Sequence, residues 1–103
     1  MRTLKFIADA QKLMPDSSCD FSGLVKGSKG YLQAEFSFSE DYAGCGKIAV
    51  FRNQGEEFPI RLENDSCMIP EEALTWRTFQ VCVVGVREGY RIRTNYVEVR
   101  QDD

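Results

Sequence analysis

The run TFQVCVVGVREGYRIRTNYVEVRQ, Thr78 to Gln101, constrains this chain more than any other stretch. It holds the densest set of β-branched residues and reads as two long antiparallel strands joined by a tight turn at Glu88-Gly89. Side chains alternate across a strand, so Phe79, Val81 and Val83 share one face while Cys82, Val84 and Val86 share the other. Both faces are apolar. A sandwich strand ordinarily buries one face against the opposing sheet. The second apolar face must therefore lie under the amino-terminal segment or under another chain.

The remaining segments read as short strands punctuated by turns. TLKFIADA, Thr3 to Ala10, is expected to form a terminal strand, and QKLMPDSSCD a connection broken by Pro15 and its polar neighbours. Between Phe21 and Gly30 three glycines leave room only for a brief strand around Leu24 and Val25. YLQAEFSFS alternates most clearly: Leu32, Ala34, Phe36 and Phe38 point one way, which predicts an antiparallel core strand with one wet face. EDYAGCG is a compact loop. In Lys47 to Asn53, Ile48 and Val50 oppose Ala49 and Phe51, and Asn53-Gln54-Gly55 turns the chain. EFPIRLEN carries Pro59, which lacks an amide donor and confines this strand to a sheet edge. Asn64-Asp65 turns it again before a short strand from Cys67 to Ile69. Pro70 to Leu74 resembles one helical turn, with Pro at a first helical position and two acids after it. Strand spacing of this kind with almost no helix predicts an all-β chain, an antiparallel β-sandwich or small barrel of seven or eight strands.

At 103 residues the length suits one domain, residues 1–103. A net charge of -3 argues against a nucleic-acid or anionic-membrane binder, because such partners require a concentrated positive field. The arginines are nevertheless uneven, with Arg77, Arg87, Arg91, Arg93 and Arg100 in the last third. Met1 runs directly into polar sequence with no apolar signal-peptide core, so the four cysteines, Cys19, Cys45, Cys67 and Cys82, are expected to stay reduced. No Cys-x-x-Cys pair suggests zinc, and no apolar run reaches the roughly 20 residues that cross a bilayer.

The chain has no histidine, which removes the commonest general base and the Ser-His and Cys-His nucleophile pairs. The adjacent acids Glu40-Asp41, Glu56-Glu57 and Glu71-Glu72 read as solvated loop charge, since neighbours in an extended chain face opposite ways. Neither a catalytic set nor a cofactor site is expected. Aromatic residues are better candidates for function: Tyr42, Trp76 and Tyr90, in loops or on outward parities, are candidates for stacking on a ligand such as a sugar. Trp76 alternatively plugs a corner of the core. Cys82, Val84 and Val86, rimmed by Arg87, Arg91 and Arg93, are the candidate interface.

The motif Ile69-Pro70-x-Glu72-x-Leu74, followed by Phe79-x-Val81-x-Val83-x-Gly85 and by Arg91-Ile92-x-Thr94-Asn95-x-Val97-x-Val99, resembles the immunoglobulin-like β-sandwich domains of virion proteins from tailed bacteriophages and prophages of Firmicutes. The upstream GYLQAEFSFSEDYAGCGKIAVF is similar to that family's second and third strands, so the likeness covers about Phe21 to Gln101. It implies an immunoglobulin-like sandwich of about seven strands with one short helical turn. It also implies a non-enzymatic structural protein of tail, baseplate or head, assembled in the bacterial cytoplasm and binding other virion proteins or its own copies. The competing expectation is a carbohydrate-binding or host-surface adhesion module that uses the exposed aromatics on a cell-surface glycan.

Overall fold

The alternation that runs through the chain sorts it into two facing sheets. The computed structural model describes residues Met1–Asp103. Its strands are β1 (Arg2–Asp9), β2 (Lys12–Pro15), β3 (Leu32–Phe38), β4 (Gly46–Asn53), β5 (Glu56–Arg61), β6 (Ser66–Met68), β7 (Thr78–Arg87), β8 (Tyr90–Arg93) and β9 (Val97–Arg100). One sheet has the order β2-β1-β3-β6; the other has β5-β4-β7-β8, with β9 also paired to β7. The all-β sandwich expected from the sequence is the fold observed.

Its strand count rises to nine for two physical reasons. The segment expected to be a mere connection contains β2, which pairs antiparallel with β1 from Phe6↔Pro15 to Asp9↔Lys12 around a turn at Ala10-Gln11. The second arm of the final hairpin is broken: β8 leaves β7 after Arg93, and β9 rejoins it at Val97. There are two 3₁₀ turns, Glu40–Tyr42 and Glu71–Leu74, where one helical turn was expected. No strand forms at Leu24-Val25, which contributes only an isolated bridge from Val25 to Asp102.

The expectation of an antiparallel β3 needs correction on one side. β3 runs antiparallel to β6 but parallel to β1 over seven register pairs, Arg2↔Leu32 to Ala8↔Phe38. A parallel neighbour requires a long crossover, and the 16–31 segment, read from sequence as a connection, a brief strand and a turn, supplies it.

Between the sheets, Leu4, Phe6, Leu32 and Phe36 meet Ala49, Phe51, Phe79, Val81 and Val83 in a single cluster of buried residues. Each of the larger side chains in it contributes about 1.5–3 kcal/mol on burial. Phe6 stacks on Phe36 with ring centroids 5.3 Å apart, and Phe51 lies 6.3 Å from Phe79. The turn at Gln54-Gly55 has both residues at positive φ, as does Asn64-Asp65; paired positive φ is what tight two-residue turns need. Pro59 lies on β5, at the sheet edge as its missing donor requires.

The break between β8 and β9 ties the two sheets together. Thr94 is buried, accepts a hydrogen bond at Oγ1 from the Val83 amide at 3.0 Å and donates from Oγ1 to the Asn95 carbonyl at 2.9 Å. Asn95 then projects to β2 and bonds both backbone groups of Leu13.

Candidate functional site

The outer face of the five-stranded sheet is where the second apolar face of β7 lies, and the register fixes its layout. Ile48 on β4 lies between Arg61 on β5 and Val84 on β7, and Val84 in turn pairs with Arg93 on β8. One row along, Gly46 pairs with Val86, and Val86 with Arg91. In the other direction Pro59, Val50 and Cys82 form a row. Thus β4 is apolar on both faces, like β7, and the two central strands give this face an apolar floor.

Of the candidate interface, Cys82 and Val84, expected under the amino-terminal segment or another chain, are covered by side chains of their own sheet. Cys82 is fully buried and Val84 is 8 % exposed, although neither belongs to the core between the sheets. The cover is a stack of side chains. Tyr96, set beside Cys82 by the Val81↔Val97 register, donates from its hydroxyl to Glu57 Oε2 at 2.9 Å. Its ring lies 3.7 Å from the Arg52 guanidinium, and that arginine donates from Nε to Gln80 Oε1 at 3.2 Å. Arg93 reaches Cys82 Sγ at 3.9 Å. Burial pushes the Cys82 thiol above its ordinary pKa, and it pushes Cys67 up to about 12. Neither is a thiolate at neutral pH. None of the four cysteines is paired in a disulfide.

What remains open is the other half of the face. Val86 is 43 % exposed. It borders a cleft of about 440 Å³ lined by Gly46, Lys47, Ile48, Pro59, Arg61 and Val86. Arg61 lines it, Arg91 stands beside Val86 on β8, and Arg93, also exposed, turns towards Cys82; none of the chain's three ion pairs involves an arginine. Arg87 is committed elsewhere: its guanidinium stacks 4.0 Å from the Tyr90 ring and donates to the Ala43 carbonyl at 3.5 Å. Sequence reasoning thus found Val86, Arg91 and Arg93 but missed Gly46, Ile48, Pro59 and Arg61. The two apolar parities of KIAVFRN were the available signal.

The three candidate stacking residues do not come together. Tyr42 is 1 % exposed, with its hydroxyl donating to the Ala10 carbonyl at 2.7 Å and its ring 4.9 Å from Phe38. It is a core residue, and burial pushes its hydroxyl up to about 12. Gly85 makes this possible, because a Cβ there would lie 2.8 Å from the Tyr42 ring. Tyr90 is half-buried, donating to the Asp41 carbonyl at 2.8 Å. Trp76 is 42 % exposed, so it does not plug the core. It precedes β7 while Tyr90 follows it, and the ten residues of β7 put roughly 30 Å between them.

No three Cys, Asp or Glu side chains converge where they would hold a metal ion. No helix is long and apolar enough to cross a membrane. Compared with protein-family models, curated proteins and solved structures, the chain matches none.

Proposed function

We propose that this chain is a non-enzymatic structural protein of a phage or prophage particle, acting by binding other particle proteins or its own copies through the outer face of the five-stranded sheet. The observation that carries the binding part is the apolar floor of Ile48 and Val86, open to solvent between Arg61 and Arg91, which no carboxylate of the chain pairs. Apolar centres rimmed by arginine are typical of protein interfaces. The particle setting rests on the sequence motifs around Ile69-Pro70, Phe79–Gly85 and Arg91–Val99.

The test is mass spectrometry of particles purified from cells carrying the gene, after washing in high salt. The chain is expected at a fixed ratio to the other particle proteins. Its recovery only in the soluble lysate would refute the proposal. A glycan-binding role has no comparable support, since Tyr42 is buried and Trp76 and Tyr90 lie at opposite ends of β7.

A further inference from the structure

Gly46 opens β4 with its φ outside the left-handed region, so the backbone does not require glycine there. A Cβ at this position would meet only the Val86 carbonyl at 3.8 Å and Arg61 Nη2 at 4.0 Å, ordinary contact distances. The missing side chain therefore relieves no clash. What it does is leave open the floor of the cleft of about 440 Å³ beside Ile48 and Val86.

The charges around that notch specify what fits. By register the outer face carries Arg52, Arg61, Arg91, Arg93 and Arg100 against Glu57 and Glu98, in a chain whose net charge is -3. Both glutamates stand at the far end of the face, where Glu57 accepts from Tyr96 and Glu98 from Gln80. Arg52 is held there by its Tyr96 stack, which leaves positive charge near the notch without an internal partner.

Spacing adds the pattern. Arg61 and Arg91 lie on β5 and β8, three inter-strand steps apart and offset by one row of the register, so their backbones are roughly 16 Å apart; the Arg61 guanidinium leans inward, 4.0 Å from where a Gly46 Cβ would stand, and shortens that span. In an extended segment, residues i, i+2 and i+4 share a face and i to i+4 spans about 13 Å. We propose that the notch at Gly46 receives an apolar side chain from an extended segment of a partner protein, with carboxylates two residues to either side resting on Arg61 and Arg91. The recognised pattern is acid-x-apolar-x-acid. This rests on the reading of the chain as a binding protein and names the chemistry of its partner.

Fluorescence anisotropy tests it with a labelled nonapeptide carrying Glu, Leu and Glu at its third, fifth and seventh positions and Gly, Ser or Thr elsewhere. The full chain is expected to bind with a Kd below ~1 mM, and raising the salt weakens binding. Gly46→Leu fills the notch and is expected to weaken binding at least ~10-fold; Arg61→Gln and Arg91→Gln, both at exposed positions that leave the fold intact, each weaken it about 3- to 10-fold. A peptide with Lys in place of both Glu residues does not bind.

Three results overturn the site: no binding of the Glu-Leu-Glu peptide up to ~1 mM, equal binding of the Lys peptide, or unchanged affinity in both arginine variants. Any of these would leave membership of a particle untouched, because that is decided by co-purification and not by this peptide.

Discussion

Asn95 pairs with Leu13 as a neighbouring strand would. The Leu13 amide donates to Asn95 Oδ1 at 2.9 Å and Asn95 Nδ2 donates to the Leu13 carbonyl at 3.2 Å, across 82 residues of sequence. One side-chain amide thereby satisfies both backbone groups of a residue in β2 and clasps the edge of one sheet to the break between β8 and β9. Asn95→Ala removes both bonds and leaves the Leu13 backbone groups without them, which is expected to cost about 1–3 kcal/mol. Urea unfolding measures it, and Asn95→Asp, which keeps the acceptor but loses the donor, is expected to recover only part of the loss.

Gly85 and Tyr42 make a second long-range dependence. A methyl group at position 85 would lie 2.8 Å from Tyr42 Cδ2 and 3.1 Å from Ile92 Cγ2, both in packed surroundings. Gly85→Ala is therefore expected to destabilise by about 1–3 kcal/mol through overpacking. Tyr42→Phe keeps the ring and loses only the hydroxyl bond to Ala10, at a cost of about 1 kcal/mol. Thermal or urea unfolding of the two variants ranks them.

Alkaline pH should weaken the fold through the same tyrosine. The Tyr42 hydroxyl, with an ordinary value of 10.0, is pushed up to about 12 by burial first and by the nearby Asp41 charge second; Tyr96 is pushed up to about 12 by burial and by its bond to Glu57. Between pH 10 and 12 the unfolded chain has released these protons while the folded chain still holds them, so stability falls as pH rises across that window. Their contribution is fully present below pH 10. The stability deficit of Tyr42→Phe relative to the parent, measured by urea unfolding, should shrink as the pH is raised above 10.

Tyr96 is the main shield over Cys82, with Arg52 stacked on its ring and Glu57 holding its hydroxyl. Tyr96→Ala is expected to raise the labelling rate of Cys82 by a thiol reagent ~10-fold or more, since a buried thiol reacts only when exposed. Peptide mapping after timed labelling distinguishes it from Cys19, Cys45 and Cys67. Equal Cys82 labelling in parent and variant would show that the shield is elsewhere.

Much of this architecture is legible from residue alternation. Leu32, Ala34, Phe36 and Phe38 announce β3, and Pro59 announces an edge. The parallel β1–β3 pairing is not legible, because partner choice depends on where the crossover of residues 16–31 lays the chain down. β2 hides because only Leu13 in its four residues is buried. Tyr42 looked exposed because it follows two acids in a loop, yet its cue was present at a distance: Gly85, a glycine in the valine run of β7, marks the space the ring fills. The second face of β7 is legible as apolar, with the amino-terminal segment or another chain as its expected cover, but its actual cover is not. Tyr96 covers it from the break between two strands that had been read as one.

The most direct measurement of the proposed interaction face uses a benzophenone-bearing residue placed at Val86, with the same residue placed at Glu35 on the opposite sheet as control. After irradiation of purified particles, the account predicts a covalent adduct from position 86 to a particle protein or a second copy, and little or none from position 35. An adduct from position 35 with none from position 86 would contradict it.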